Sequence, residues 1–299
     1  MEKVKTIKLG IIGLSEGNGH PYSWSAIFNG YNESVMKECP FPVIPEYLSK
    51  QNFPEDAIRE GKVTHIWTQN KDLSKHIANA ANIEKVVDNY VDMIGEVDAI
   101  LLARDDYELH YEMSKPFIEA GLPIYIDKPL AIDRKTAEMI LSLEKYDGQI
   151  FTCSAIAYAK EFSISQEVIE SIGPLEYVDA CVMKSWDKYA VHIIEPVLKI
   201  IGCQGNIKSI HKSKSLNKNV VTVTWESGLQ TTFSSLGNIS CPIQIRLFGK
   251  NGYKELLFKD TYYAFKKSLQ TFIDIIKGKE KPLDKHFVLQ VVDIIEKGI

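Results

Sequence analysis

Residues Ile7 to Leu14 read Ile-Lys-Leu-Gly-Ile-Ile-Gly-Leu, a short apolar and β-branched run that meets a glycine-rich stretch. Such a run predicts a strand buried on both faces of a parallel sheet, since a strand with one wet face would alternate polar and apolar residues. Parallel strands need crossover connections, and the chain supplies them in order. Val63 to Thr68 predicts a strand and Asp72 to Ala81 a helix with an acidic first turn. Ala99 to Ala103 predicts a strand, followed by a helix over Leu109 to Ala120 that Gly121 stops. Pro123 to Asp127 predicts another strand, and Asp133 to Lys145 a helix with Asp133 as its cap. Shorter helices are expected over Trp24 to Gly30, capped by Ser23, and over Asn89 to Ile94. This alternation specifies right-handed crossovers and a doubly wound sheet.

Residues 1–128 are therefore expected to form a Rossmann-like, dinucleotide-binding domain. Tyr31 to Lys62 carries Pro40, Pro42, Pro45 and Pro54, which forbid a continuous helix. That stretch is expected to be an excursion over the site, with short helices such as Pro54 to Glu60. Beyond Gln149 the strand-like runs lengthen: Ile150 to Ala157, Leu175 to Lys184, Ile207 to Lys212, Val220 to Trp225, Gln230 to Ser235 and Gln244 to Gly249. With few helices between them, they predict a largely antiparallel open sheet, packed on one side by helices such as Phe162 to Ser171 and Val191 to Ile201. The fold class is α/β, with residues 129–299 as a second, α+β domain for substrate and oligomer contacts. Ala264 to Lys277 and Lys285 to Lys297 show helical spacing and should cover a face of one domain or the other.

Composition narrows the function. The 35 basic and 39 acidic residues are well mixed and leave a formal net charge of -4, so there is no basic footprint for nucleic acid. The 5 cysteines are widely spaced without a C-x-x-C pair, and read as buried thiols in a reducing, cytoplasmic setting. The first residues carry two early lysines, Lys3 and Lys5, but only a very short apolar run, and they lead into a strand rather than a cleavage site, so no leader is expected. No run of about 18 apolar residues offers a membrane span. The histidines outside the strand ends, His65, His76, His211 and His286, lack metal-ligand spacing, and no metal is expected. A small-molecule substrate is the remaining class.

Ligands of a doubly wound sheet bind beyond the carboxyl ends of its strands. After the first strand comes Gly13-Leu14-Ser15-Glu16-Gly17-Asn18-Gly19-His20. Its glycines permit tight turns and let amides face a phosphate at the next helix N-terminus; the alternative is a glycine-rich turn without a ligand. Ser15 stands where the second glycine of G-x-G-x-x-G belongs, and His20 either reaches a ligand phosphate or bonds its own loop. After the second strand, Thr68-Gln69-Asn70-Lys71-Asp72 offers no acid at the place where a dinucleotide's ribose diol is usually held. Gln69 and Asn70 are the candidates there, with NAD and NADP equally open, and a polar strand end facing water as the alternative. At the fifth strand's exit, Asp127-Lys128-Pro129 places a lysine on a rigid element beside a carboxylate. It is positioned to hydrogen-bond a substrate hydroxyl or the nicotinamide ribose; otherwise the two form a surface ion pair.

Asp127-Lys128-Pro129 resembles the Glu-Lys-Pro signature of the glucose–fructose oxidoreductase, inositol dehydrogenase and rhizopine-catabolism superfamily of NAD(P)-dependent oxidoreductases, of which this chain looks like a divergent member. Ala103-Arg104-Asp105-Asp106-Tyr107-Glu108-Leu109-His110 occupies the place of the family's Thr-Pro-Asn-x-x-His, with only His110 matching. Val191-His192-Ile193-Ile194-Glu195 looks like the family helix Asp-x-x-x-His-x-x-Asp, with His192 at the catalytic histidine, Glu195 at the later acid and Lys188 in place of the earlier one. Tyr158 falls where the family often has an arginine.

The resemblance implies hydride transfer between NAD or NADP and a hydroxyl or keto carbon of a sugar, cyclitol or nucleotide-sugar. His192 would be the general base, Lys128 would polarise the alcohol and Asp127 would orient the lysine. Tyr158 and Lys188 would line the substrate. Gly13, Ser15, Gly17, Asn18, Gly19, His20, Gln69, Asn70, Ala103, Arg104, His110, Lys128 and Pro129 would meet the cofactor. A homodimer or homotetramer is the expected assembly. The altered glycine loop, the lost Thr-Pro-Asn and Lys188 favour the alternative, a binding or sensor protein of the same fold without dehydrogenase activity.

Overall fold

The computed structural model of the chain describes residues 6–299. The two early lysines, Lys3 and Lys5, on which the reading of the N-terminus partly rests, lie outside the described residues. Among the described residues, no helix is long and apolar enough to cross a membrane. The chain divides into two compact units, one of residues 1–131, 136–152 and 265–285, the other of residues 132–135, 153–264 and 286–299.

The first unit holds strands β1 (Ile7–Ile12), β2 (Gly61–Trp67), β3 (Lys85–Val86), β4 (Ala99–Leu102), β5 (Ile124–Ile126) and β6 (Ile150–Thr152). They form one sheet in the order β3-β2-β1-β4-β5-β6, with every pair parallel. Burial follows the apolar runs: all of β4 and β5 are buried, and in β1 only Lys8 is exposed. Helices α1 (His20–Asn29), α2 (Glu33–Met36), α3 (Val43–Leu48), α4 (Lys71–Ala80), α5 (His110–Glu119) and α6 (Arg134–Leu141) follow the strands. The proline-rich excursion does contain short helices, but they are α2 and α3, while residues 54–60 form turns. The first helix also begins four residues earlier than expected, at His20 with Gly19 as its cap residue, so Ser23 lies inside it. Pro21 explains the early start: its fixed φ suits a helix's first turn, where an amide would have no partner.

Ile150–Thr152 corrects the expected boundary. Instead of opening an antiparallel sheet, β6 pairs in parallel with β5, so the doubly wound unit continues well past residue 128. The physical reason is its side chains: Phe151 packs edge-on against Tyr125 at 4.7 Å and stacks with Phe272 at 5.8 Å, inside the same aromatic core. Phe272 comes from α10 (Thr261–Ile276), most of which belongs to this unit.

The second unit contains β7 (Leu175–Val182), β8 (Ile207–Ser215), β9 (Lys218–Trp225), β10 (Gln230–Ser235), β11 (Gln244–Gly249) and β12 (Gly252–Leu257), with α7 (Gln166–Ile172), α8 (Trp186–Tyr189), α9 (Val191–Ile201) and α11 (Lys285–Gly298). Its sheet runs β12-β11-β7-β10-β9-β8, antiparallel except for β7 against β10. Burial alternates strictly along β9, where Val221, Val223 and Trp225 face the core and Val220, Thr222 and Thr224 do not. This is the period-2 pattern of a sheet covered on one face. The covering residues include Ile193, Ile194 and Val197 of α9 and Val291, Ile294 and Ile295 of α11. The hairpin to β12 was missed by strand-run reading because β12 is mostly exposed, although Asn251-Gly252 is a turn signal between two runs.

Gly249, at the end of β11, has no room for a side chain: a Cβ there would stand 2.3 Å from the Ile172 carbonyl oxygen, and backbone cannot step aside as a side chain can. Gly249→Ala is expected to destabilise the second unit by about 1–3 kcal/mol, the usual cost of forcing atoms into a packed site. Urea unfolding checks this, with exposed Lys250→Ala as the neutral control.

Candidate active site

With this strand order, the crevice at which the sheet's winding reverses lies between β1 and β4. The loops leaving these two strands meet there. Ser15 Oγ donates to Asp105 Oδ1 at 2.6 Å, and the Asp105 amide donates back to Ser15 Oγ at 3.1 Å. The other oxygen of Asp105 accepts from Lys128 Nζ at 3.4 Å. Lys128 leaves β5 just before Pro129, to which it is joined by a cis peptide bond. Ser15, Asp105 and Lys128 are all buried, so three successive strand ends are tied together by one carboxylate in a site of low polarity.

Asp127 serves a different partner from the one expected. Its carboxylate accepts from Asn18 Nδ2 at 2.8 Å, His20 Nδ1 at 2.6 Å and the Lys128 amide at 2.8 Å. The expectation that Asp127 orients the Lys128 ammonium is therefore corrected: the ammonium is hydrogen-bonded by Asp105, and Asp127 holds His20. Asp105 escaped sequence reading because it lies in the segment that departs from the family pattern, although an acid just past a strand end was a usable signal.

Burial pushes the Asp127 carboxyl up, but the charge and hydrogen bond of His20, together with the Lys128 charge, outweigh it and hold the group below the ordinary carboxylate range. The His20 ring is fixed in turn, stacked on Trp24 at 5.0 Å and met edge-on by Phe265 at 5.0 Å. Trp24 continues the stack onto Tyr125 of β5 at 4.7 Å.

The glycine loop combines open and closed ground. Gly17 has a left-handed φ of +76° and nothing within 4 Å of where a Cβ would be. Gly19 is tightly covered, because a Cβ there would lie 2.5 Å from Ile44 and 2.6 Å from Phe41, both from the proline-rich excursion. The His20 amide is already satisfied by Asn18 Oδ1 at 2.8 Å. Among the described residues, no acceptor pairs with the amides of Glu16, Gly17 and Gly19.

Other sequence candidates are engaged by the protein itself. The Gln69 side chain pairs with both backbone groups of Leu14, at 3.1 and 2.6 Å. It also accepts from Arg104 Nη1 at 3.1 Å, while the rest of the guanidinium forks onto Asp106 at 2.9 and 2.5 Å. Asn70 caps α4 through the amides of Asp72 and Leu73. His110 bridges the carbonyls of Leu130 and Arg104, at 3.0 and 2.8 Å. Ala103 is buried, its amide bonded to Ile12.

In the second unit, His192 is the second residue of α9. Its Nδ1 lies 2.8 Å from Ser154 Oγ, and its ring meets Tyr189 edge-on at 5.4 Å. Glu195, one turn on, accepts the Ser154 amide at 2.6 Å and lies 3.4 Å from Lys199 Nζ. Burial raises the Glu195 carboxyl above its ordinary range, against the opposing pull of Lys199 and Ser154. The Lys199 ammonium also sits over the Tyr158 ring at 3.7 Å. Lys188 lies on α8. Among the described residues, no cluster of metal-ligand side chains is present.

Asp127 makes a pH-dependent contribution. A carboxyl held below its unfolded value of about 3.9 stabilises the fold above that pH and loses the contribution as pH falls through its folded value. Asp127→Asn is expected to cost about 2–3 kcal/mol at neutral pH, the range for losing hydrogen bonds to a buried charged group. The gap from the parent chain should narrow once the pH drops below about 4; a gap in urea unfolding that stays constant down to pH 3 would contradict the assignment.

Residues 7–154 match the profile of the oxidoreductase family with an NAD-binding Rossmann fold. No curated protein sequence matches the chain. Among solved structures, myo-inositol 2-dehydrogenase from Lactobacillus plantarum is similar in fold, with a TM-score of 0.75 and 14% identity over 98% of this chain and 96% of that one. The scyllo-inositol dehydrogenase of Lactobacillus casei, solved with NAD(H) and scyllo-inositol, gives a TM-score of 0.71 and 13% identity, covering 97% of this chain and 95% of that one. UDP-N-acetylglucosamine 3-dehydrogenase from Acidithiobacillus ferrooxidans gives 0.70 and 13%, covering 98% of this chain and 96% of that one. With its doubly wound sheet and the profile match over residues 7–154, the chain belongs to the glucose–fructose oxidoreductase, inositol dehydrogenase and rhizopine-catabolism family of NAD-binding oxidoreductases.

Proposed function

We propose that this protein transfers hydride between a nicotinamide dinucleotide and a hydroxyl or keto carbon of a sugar, cyclitol or nucleotide-sugar. The observation that carries the reading is the buried Lys128 ammonium, held by Asp105 at the carboxyl end of β5. A cation kept in a dry, preorganised place is well suited to an oxygen that gains negative charge during the reaction.

The residues present fit a dinucleotide at the glycine loop. Amides of Glu16, Gly17 and Gly19 are left for phosphate oxygens, and the space over Gly17 admits them where a side chain would intrude. Gly13, Ser15, Asn18 and His20 complete that loop. A bound nicotinamide supplies the hydride acceptor. Lys128 would hold the alcohol oxygen by hydrogen bond and stabilise alkoxide character as the C–H bond breaks. The hydroxyl proton would pass to the imidazole of His192, the role that the family resemblance assigns to it. Tyr158 and Lys188 remain the proposed substrate-lining residues. Cyclitols and nucleotide-sugars are the substrate classes to try first, because structurally similar dehydrogenases are named for them.

Energy transfer from the tryptophans to NADH or NADPH measures binding, with Trp24 stacked on His20 as the reporter nearest the loop. Binding is expected for at least one of the dinucleotides, the oxidised pair being read by tryptophan quenching because only the reduced pair accepts the transferred energy; failure of all four at millimolar concentration would sink the reading. Lys128→Ala should leave binding within about threefold while lowering turnover of the best cyclitol or nucleotide-sugar by about 10² or more, the scale of one preorganised electrostatic contact. Binding without turnover of any such substrate would favour the non-catalytic alternative.

A further inference from the structure

We infer that Ser154 is a positioning residue for His192, and that Glu195 sets Ser154 in place. The inference rests on the proposed role of His192 as proton acceptor and names the groups in the second unit that make that role possible.

An imidazole works as a base through one nitrogen only if the other carries the proton, so whichever group touches the second nitrogen selects the working one. Here that group is the Ser154 hydroxyl, 2.8 Å from Nδ1. A hydroxyl can accept as well as donate, so it can take an N–H from Nδ1 and leave Nε2 as the basic nitrogen. Ser154 is completely buried, so its hydroxyl is turned to the protein and away from bulk solvent. The edge of Tyr189 limits the ring's rotation from another side, at a centroid distance of 5.4 Å.

Glu195 explains why the serine stays within reach. Ser154 follows β6 by two residues, on a segment with no sheet partner of its own. Its amide donates to Glu195 Oε2 at 2.6 Å. Glu195 lies three residues after His192 on α9, which places the two side chains on neighbouring positions of one helix face. One helix thus presents both the imidazole and the carboxylate that anchors the imidazole's partner. A buried carboxylate bonded to a backbone amide is costly to keep unless its hydrogen bonds are good, so its presence needs a reason beyond stability. Fixing the loop that carries Ser154 supplies one. His192 and Glu195 match the family helix in the sequence, whereas Ser154 carried no motif and appears only from the geometry.

The test is nitrogen NMR of the full chain labelled with 15N-histidine, with the His192 resonances assigned from His192→Asn. In the parent chain, Nδ1 should resonate in the protonated range and Nε2 in the unprotonated range at a pH where the ring is neutral. Ser154→Ala should shift Nδ1 toward the unprotonated range as the other tautomer gains population, and Ser154→Thr, which keeps the hydroxyl, should restore the parent pattern. Glu195→Gln should retain the amide contact and leave most of the pattern intact, while Glu195→Ala should release it. An unchanged tautomer in Ser154→Ala, or a parent chain already protonated at Nε2, would overturn the inference. Dinucleotide binding, measured on the same samples, reports separately on the dinucleotide reading: failure of the parent chain to bind any of NADH, NADPH, NAD+ and NADP+ defeats that reading, while the tautomer pattern judges Ser154.

Discussion

The buried carboxylate of Asp127 is the fixed point around which the first unit's strand ends are arranged. A charge in that position must be compensated, and the chain does so with an imidazole, a side-chain amide and a backbone amide. Each compensating group then becomes an anchor. Asn18 and His20 come from the loop after β1, so their bonds to Asp127 set the path of the glycine-rich segment. Asn18 also caps the first amide of α1, and His20 carries the aromatic stack through Trp24 to Tyr125 of β5. The loop proposed to receive a dinucleotide is thereby held by side chains at and just beyond the strand that precedes Lys128. Removing the charge would loosen the proposed cofactor loop and the lysine's strand end together.

Much of this architecture was legible in the sequence because parallel strands announce themselves. An apolar run without alternation is cheap to recognise, and the runs at β1, β4 and β5 are wholly or nearly wholly buried. Gln230–Ser235 and Gln244–Gly249 were readable for the opposite reason, since their alternation leaves one face unburied. β6 was misplaced because Ile-Phe-Thr suits either kind of sheet, and the choice was made by the packing of Phe151 against Tyr125 and Phe272, a contact between residues far apart in the chain. The start of α1 was misjudged because a glycine-rich stretch reads as loop until Pro21 is recognised as a first-turn residue.

The candidate site divides in the same way. Lys128, Asp127 and His192 could be put forward from local motifs, because strand ends and the resemblance to a family helix suggest where such residues stand. Their partners could not, because each partnership joins segments distant in sequence: Ser15 with Asp105, His20 with Asp127, Ser154 with His192. A short motif records that a lysine follows an aspartate but not which carboxylate its ammonium meets. The assignment of Asp127 to the lysine followed from adjacency, whereas neighbouring side chains along an extended segment point to opposite sides.

Two departures from the family pattern also answer one another. Ser15 replaces the second glycine of the phosphate loop, and Asp105 falls where the Thr-Pro-Asn segment is lost. Taken singly, each weakens the likeness to a working dehydrogenase: the serine narrows the loop, and the aspartate brings a second negative charge near Asp127. The structure joins them in a reciprocal hydrogen bond at the β1–β4 crevice, and the other oxygen of Asp105 receives Lys128. The serine therefore keeps the aspartate turned toward the lysine, and the lysine offsets the aspartate's charge. A chain drifting away from function would be expected to lose such matched groups one at a time, leaving buried polar atoms without partners. In this crevice the altered residues are buried and bonded to each other and to Lys128, which is the matched arrangement that the proposed dehydrogenase reading requires.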